Sequence, residues 1–189
     1  MIEPAILTLA RDRGHRVFTH GAWNVNIIAV RSSGLAPNVF DDKIHLAFLD
    51  EYDSWNDIAF RCTTDPGSYW LRYPMKVEGT AILVPGQYRS AYQIALHQGK
   101  YEALCQRGPV RVYRDRNKDE VLDMDPGSIE EGCFGINIHH AGTDSQIVHR
   151  WSAGCTVLAN SASFAVFMSV LRKSQEIWGD QFTYTLIDQ

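Results

Sequence analysis

Between residue 26 and residue 139 the chain consists largely of short apolar runs separated by turns rich in glycine, proline and acidic residues. This spacing is typical of β-strands rather than helices. We predict a loop over residues 32–38 and the strands Asn26–Arg31, Lys43–Leu49, Asp57–Cys62, Gly79–Val84, Tyr88–His97, Tyr101–Gln106, Val110–Tyr113, Val121–Met124, Phe134–His139 and Phe182–Ile187. The pattern therefore predicts a mainly β protein.

Two segments near the ends of the chain show helical spacing instead. Residues 1–16 carry apolar side chains at helical intervals, and Ser161–Trp178 repeats large apolar residues every three or four positions. Asn160 or Ser161 is a suitable residue to cap the second helix. No repeat or low-complexity linker divides the chain, so we predict a single domain, mainly β with flanking helices.

Composition and charge exclude several functional classes. The chain has 189 residues, 45% of them hydrophobic, and a net charge of -4. There is no basic excess that would hold a nucleic-acid backbone, and no apolar run is long enough for a membrane span. Met1–Pro4 lacks the basic start of a secretory signal, so we expect no signal peptide and synthesis in the cytoplasm.

The four cysteines, Cys62, Cys105, Cys133 and Cys155, are expected to be free thiols, because a chain of this size does not need disulfides to fold. Three histidines also lie close to Cys133 and Cys155, but their spacing matches no zinc-binding pattern. We therefore predict no metal and no cofactor.

The segment Asp115–Asp123 resembles the first part of an EF-hand calcium loop. It has Glu120 where the loop needs glycine, and Pro126 where the loop needs a bidentate glutamate. A polar hairpin turn explains the segment better, and calcium binding is the alternative.

The chemically most informative stretch is Ile138-His139-His140, followed after a short loop by Ser152-Ala153-Gly154-Cys155. A histidine that lies on a neighbouring strand can accept the proton of a thiol that follows a glycine. Neighbouring residues of a strand point to opposite faces, so only one of His139 and His140 can meet the thiol. We favour His139 as the base and place His140 in a supporting role.

This arrangement resembles the catalytic domain of the L,D-transpeptidases, which cross-link peptidoglycan with a cysteine nucleophile. In that family a strand ends in Ile-His-Gly-Thr, and Ser-x-Gly-Cys follows after a loop. The residues that fit are Ile138, His139, Ser152, Gly154, Cys155 and the later Asn160. Ala153 stands where the family usually has histidine, and Val157 stands where it has arginine. Arg150 or His149 is then the candidate to supply the missing positive charge.

The resemblance implies a β-sandwich or barrel of the L,D-transpeptidase type over residues 1–189, with residues 1–22 as an N-terminal helical extension. It implies that Cys155 attacks a peptidoglycan stem peptide, with His139 as base, Ser152 bonded to the histidine or the substrate, and the N–H groups of Gly154 and Cys155 stabilising the oxyanion. Arg150, His149, Asn160 and His140 are the candidate substrate-binding residues.

The reaction implied by the resemblance is transpeptidation, or hydrolysis as a carboxypeptidase or endopeptidase, in the cell wall or periplasm. The missing arginine and signal peptide fit a phage-type lysin on the same fold. A catalytically inactive wall-binding protein is the alternative from a different functional class.

Overall fold

The computed structural model describes residues 2–34 and 37–189. Met1, within the predicted first helix, and Leu35 and Ala36, within the predicted loop 32–38, lie outside the described residues. The elements in chain order are α1 (Ala5–Asp12), β1 (Asn26–Arg31), β2 (Asp42–Leu49), β3 (Trp55–Thr63), α2 (Ser68–Arg72), β4 (Thr80–Leu83), β5 (Gly86–His97), β6 (Tyr101–Gln106), β7 (Val110–Asp115), β8 (Glu130–Gly132), β9 (Ile138–His140), β10 (Thr156–Leu158), α3 (Ser161–Trp178) and β11 (Phe182–Asp188).

Eight strands close into a barrel in the order β1-β11-β5-β6-β9-β10-β3-β2. Strand β1 runs parallel to β11, and β9 runs parallel to β10, while the other neighbours are antiparallel. Closure gives each of these strands two neighbours, so the alternating apolar side chains of the strands face one core. The predicted mainly β class with a few helices is confirmed.

Helix α3 covers part of this core. Its residues Phe164, Phe167, Met168 and Leu171 are buried, and the ring of Phe167 meets Phe60 of β3 edge-on. The helix begins where predicted, because the Asn160 side chain accepts a hydrogen bond from the Ser163 N–H at 2.7 Å.

Helix α1 covers the opposite, outer side of the barrel. Its apolar residues Ile6, Leu7 and Ala10 pack against Ile28 of β1 and against Ala47 and Ile187. The helix is shorter than the predicted 1–16: it ends at Asp12, and Gly14, two residues later, has a φ of 79°. None of the described helices is long and apolar enough to cross a membrane.

A separate three-stranded sheet, in the order β4-β7-β8, lies beside the barrel. The strand predicted at Val121–Met124 was wrong, because the strand that follows β7 in the chain and pairs with it, on the side away from β4, is Glu130–Gly132. The reason is local: the Asp119 carboxylate accepts from the Val121 N–H at 2.8 Å, and the Asp115 carboxylate accepts from the Asp123 N–H at 3.2 Å. Side chains therefore take the backbone donors that a strand would need.

The strand predicted at Phe134–His139 was only partly correct, because pairing begins at Ile138. Upstream, the side-chain carbonyl of Gln106 accepts from the N–H groups of Phe134 and Ile136, at 3.1 and 2.9 Å. This one amide thus binds two backbone N–H groups that a neighbouring strand would otherwise bind. The short elements α2 and β10 were not predicted.

One buried polar network ties the barrel to the side sheet. Arg31 is only 1% exposed, lies 2.9 Å from the Asp65 carboxylate, and donates to the Thr64 hydroxyl and to the Leu83 carbonyl, both at 3.0 Å. The buried Asp42 carboxylate accepts from both the N–H and the hydroxyl of Thr64. Strand β1, the turn after β3 and strand β4 are thus held by one guanidinium.

Candidate functional site

A cleft of about 440 Å³ opens between the β9–β10 end of the barrel and the side sheet. It contains both residues of the predicted cysteine–histidine pair. Its lining comprises Trp70, Met75, Lys76, Gly79, Thr80, Ala81, His97, Gln98, Arg114, Phe134, Gly135, Ile136, Asn137, His139, Arg150, Trp151, Ala153 and Cys155.

The turn that carries Cys155 requires the glycine before it. Gly154 has a φ of 118°, in the region that side-chain-bearing residues rarely adopt. A Cβ atom built on it would lie 2.3 Å from the Ala81 carbonyl oxygen of β4. The glycine therefore lets the turn bend and lets β4 approach it closely.

Ser152 fixes the same turn from inside. Its hydroxyl accepts from the Gly154 N–H at 3.2 Å and donates to the Cys155 carbonyl at 2.7 Å, and its own carbonyl accepts from the Gly67 N–H. Ser152 is fully buried and bonds neither to the histidine nor toward the cleft. Of the two predicted oxyanion donors, only the Cys155 N–H is without a partner among the described residues.

The Cys155 thiol is half-buried in the cleft wall. Its Sγ donates to the Gly135 carbonyl and accepts from the Asn137 N–H, both at 3.4 Å. Burial raises the pKa of the thiol to about 11, and the Asn137 N–H offsets only part of this. Cys155 is therefore held as the neutral thiol.

His139 is buried in the same wall, and its tautomer is defined. Its Nδ1 lies 3.1 Å from the His140 carbonyl oxygen, which can only accept, so Nδ1 carries the proton and Nε2 is free to act as a base. Burial, together with the neighbouring His97, lowers the pKa of His139 to about 3. In the described residues no hydrogen bond joins His139 to the Cys155 sulfur, so the thiol and the imidazole line the same cleft without direct contact by a hydrogen bond.

Two residues that line the cleft beside His139, His97 and Asn137, were not predicted from the sequence. The His97 ring stacks on His139 with 4.3 Å between ring centroids and 21° between the planes. The Asn137 side-chain carbonyl accepts from the Gln106 N–H at 2.9 Å, so its amide nitrogen is the group that donates to His97 Nδ1 at 3.0 Å. His97 therefore carries its proton on Nε2, and burial lowers its pKa. No sequence spacing links His97, at the end of β5, to the later motif.

The remaining predicted residues are distributed around the cleft rather than gathered in it. His140 points away from His139 and packs against Tyr101 and Phe164, with centroid distances of 4.8 and 4.9 Å. Asn160 caps α3, and exposed His149 lies 5.7 Å from the ring of Tyr69. None of these three predicted substrate-binding residues lines the cleft within the described part of the chain.

Arg150 does line the cleft. Its guanidinium lies 3.9 Å above the ring of Tyr69, and its carbonyl accepts from the indole of Trp70 at 3.0 Å. Lys76 and Arg114 also line the cleft, and Arg114 is paired with Glu130 at 2.8 Å. No carboxylate belongs to the lining among residues 2–34 and 37–189, so the cleft is cationic.

The neutral thiol has a measurable consequence. We expect iodoacetamide to modify the exposed Cys133 first near neutral pH, and to modify Cys155 at a rate that rises about tenfold per pH unit until pH approaches 11. Peptide mapping by mass spectrometry after timed alkylation at several pH values measures both rates. A Cys155 rate that reaches its plateau below pH 8 would contradict this description of the thiol.

No protein-family model, no curated protein sequence and no solved structure matches the chain.

Proposed function

We propose that the protein is a cysteine-dependent acyltransferase or peptidase of L,D-transpeptidase-like fold that acts on peptidoglycan stem peptides. The observation that carries the proposal is that Cys155 and His139 line the same cationic cleft. The residues that fit the family pattern, with Ser152 and Gly154 shaping the turn, add to this support.

In the first step the Cys155 sulfur attacks the carbonyl carbon of a stem-peptide bond while its proton passes to His139 Nε2. The peptide carbonyl oxygen becomes an oxyanion, and the Cys155 N–H is the available donor toward it. Collapse of the tetrahedral species re-forms the carbonyl and expels the amine, which takes the proton from His139. The product is a thioester on Cys155 and a free amine.

The pKa values determine when the proton moves. With about 11 for the thiol and about 3 for the imidazole, a thiolate–imidazolium pair is strongly unfavourable before substrate binds. The proton therefore transfers as the carbon–sulfur bond forms and the negative charge leaves sulfur for the carbonyl oxygen. His97 stacks on the base and holds its ring in place, which makes His97 a positioning residue.

In the second step an amine or water attacks the thioester carbon. Its proton passes through His139 back to the departing sulfur, which restores the thiol. An amine from a second stem peptide gives a cross-link, and water gives hydrolysis, the reaction of the lysin alternative. The position of the family arginine is taken by Val157, which is fully buried, so that position offers no cation to the substrate.

Substrate binding is assigned to the cationic side of the cleft. Stem peptides carry free carboxylates, and the exposed guanidinium of Arg150, held above Tyr69, can reach one with paired hydrogen bonds. Lys76 adds a second positive charge, and Trp70 and Trp151 offer flat apolar surfaces to the peptide.

Arg150→Ala is expected to raise KM for a carboxylate-bearing stem peptide about tenfold, the loss of roughly one exposed charge-assisted hydrogen bond, with little change in kcat. Steady-state kinetics with the natural peptide and with its carboxamide measure the effect. The carboxamide should bind the wild type as weakly as the variant binds the natural peptide.

The matched control is Arg172→Ala, which removes one guanidinium from α3, where it is paired with Glu102 at 2.8 Å. It should leave KM unchanged. If both arginine variants raise KM equally, the effect is one of overall charge, and Arg150 does not bind the carboxylate.

The proposed function is tested by incubating the protein with purified muropeptides and measuring both the products and the intact protein by mass spectrometry. We expect an acyl adduct on the tryptic peptide that contains Cys155, together with either a product enlarged by water or a joined peptide. These two products distinguish hydrolysis from transpeptidation. No adduct and no new product with any stem peptide would overturn the enzymatic proposal and favour a non-catalytic wall-binding protein.

A further inference from the structure

The cleft is lined by two stacked imidazole rings that carry their protons on different nitrogens. His97 and His139 lie with 4.3 Å between their ring centroids and 21° between their planes. His139 Nδ1 donates to the His140 carbonyl, so His139 Nε2 offers a lone pair. The ring of His97 is held in the opposite tautomer, and its Nε2 offers an N–H group instead.

The tautomer of His97 is determined by the side-chain amide of Asn137. The Gln106 N–H donates to Asn137 Oδ1 at 2.9 Å, and a backbone N–H can only donate. The reverse orientation of the amide would bring two N–H groups together, so Asn137 Nδ2 is the atom that lies 3.0 Å from His97 Nδ1. His97 Nδ1 therefore accepts this hydrogen bond, and His97 Nε2 carries the proton.

The residue that orients Asn137 is itself held firmly. The side-chain nitrogen of Gln106 donates to the carbonyls of Gly108 and Gly132, at 2.8 and 2.9 Å. Its side-chain oxygen accepts from two backbone N–H groups upstream of β9. The N–H group of His97 is thus oriented before a ligand arrives, and an oriented donor binds without the ordering that a mobile side chain requires.

This N–H group has no acceptor among residues 2–34 and 37–189. Three side-chain atoms of the described residues are sealed from solvent without a partner, and His97 Nε2 is not one of them, so it reaches solvent. His97 is only 7% exposed and its ring lines the cleft, which puts the N–H group within reach of a molecule bound there. A few such placed polar groups fix the orientation of a ligand in its pocket.

The charge of the donor indicates which acceptor it suits. Burial lowers the pKa of His97, so the ring is neutral at pH 7. The carboxylates of a stem peptide are attracted instead by Arg150 and Lys76, which line the same cleft. A neutral N–H group suits a neutral acceptor, and every peptide carries such acceptors as the carbonyl oxygens of its backbone.

We propose that His97 Nε2–H donates a hydrogen bond to a backbone carbonyl oxygen of the bound stem peptide. The choice of a stem peptide as ligand rests on the proposed function, whereas the tautomer of His97 does not. The two stacked rings then have different tasks, because His139 Nε2 accepts the thiol proton while His97 holds the peptide beside that base. His97 is thereby a substrate-binding residue as well as a positioning residue.

The first measurement is NMR spectroscopy of the full chain with isotope-labelled histidine and with Cys155→Ala, so that the peptide binds without reacting. At pH 7 we expect the Nε2–H tautomer for His97 and the Nδ1–H tautomer for His139. Addition of a purified tetrapeptide stem should shift the His97 Nε2–H resonance in a saturable manner. The opposite tautomer, or a His97 resonance that does not move at saturation, would overturn the donor role.

The second measurement is the Kd of the same peptide for two substitutions of His97 in the Cys155→Ala background. His97→Phe keeps an aromatic ring beside His139 and removes the donor, and it should raise Kd roughly three- to tenfold, the loss of one neutral hydrogen bond. His97→Gln keeps an N–H donor and removes the ring, and its Kd should stay within about twofold of that of the background protein. A purely positioning role predicts the reverse order, because only the phenylalanine variant retains the stacking.

The matched control is His20→Phe, since His20 is exposed and does not line the cleft. It should leave Kd unchanged. Equal Kd values for His97→Phe and the control, or an equal loss for the phenylalanine and glutamine variants, would overturn the donor role. If His97→Phe does not fold, the His97 resonance decides the question alone.

Failure of the donor role is distinguishable from failure of the proposed function. If the Cys155→Ala protein binds the stem peptide but neither the His97 resonance nor the Kd of His97→Phe responds, only the donor role is overturned. If the Cys155→Ala protein binds no stem peptide, the proposed function and the donor role are both overturned.

Discussion

Replacing Cys155 by alanine is expected to lower kcat on muropeptides by about 10⁴–10⁶-fold, the loss typical when a covalent nucleophile is removed. The substitution deletes the atom that would form the thioester in the proposed reaction, and the backbone of the turn is retained because Ser152 bonds to the Cys155 carbonyl rather than to its side chain. Single-turnover analysis by mass spectrometry measures both the rate and the acyl adduct.

Cys133→Ala is the matched control for this substitution, since Cys133 is an exposed free thiol and does not line the cleft. It should retain wild-type kcat and still form the adduct. Melting curves of both variants should match the wild type within about 3 °C. Residual turnover of the Cys155 variant within tenfold of wild type would mean that another group carries the chemistry.

Replacing Arg31 by alanine is expected to lower the free energy of unfolding by about 3–5 kcal/mol, a large part of the stability of a domain. Arg31 is the cation of the buried network, and without it the Asp65 carboxylate remains buried and uncompensated. The Thr64 hydroxyl and the Leu83 carbonyl also lose a donor. Chemical denaturation at fixed pH measures the loss.

Arg61→Ala is the control, because it removes an exposed arginine paired with Asp144 at 3.3 Å. Exposed pairs of this kind contribute at most about 1 kcal/mol. A loss of stability no greater for the Arg31 variant than for this control would mean that the buried network does not stabilise the fold.

The loss of unfolding free energy in the Arg31 variant should also depend on pH. Burial raises the pKa of Asp65 to about 6 even with Arg31 present, above its ordinary value of 3.8. A raised carboxyl pKa means that folding favours the protonated form, so ionised Asp65 costs stability above pH 6. Without Arg31 the ionised Asp65 destabilises the fold more strongly. We therefore expect the loss of unfolding free energy to be largest at pH 7 and to shrink as pH falls toward 4.

Elements with strong local signals were predicted well from the sequence. The bounds of α3 follow from its apolar spacing and from the Asn160 cap, and β1 and β6 follow from their flanking turns. These features depend on neighbouring residues alone. Where a distant side chain replaces a strand, as Gln106 does for Phe134 and Ile136, the local pattern still indicates a strand and the prediction fails.

The candidate site was likewise predicted only where its residues lie close together in the sequence. His139 and Cys155 were selected from sequence because a short, continuous segment carries both. His97 was missed because it reaches the site only through barrel closure, which brings β5 next to β6 and β6 next to β9. Ser152 was also selected from sequence, but for a bond to the histidine or the substrate, whereas its hydroxyl bonds within its own turn, to Gly154 and Cys155. The bond from the Gly67 N–H to the Ser152 carbonyl joins residues far apart in the chain and was not predicted.

The protonated state of the Cys155 thiol also determines how the protein withstands oxidants. Peroxide and disulfide exchange both consume the thiolate, and a thiol with a pKa near 11 presents almost none at neutral pH. Exposed Cys133 is therefore the expected first site of sulfenic acid, and it lies outside the cleft lining. The same burial that keeps Cys155 protonated therefore also preserves its thiol in an oxidising environment.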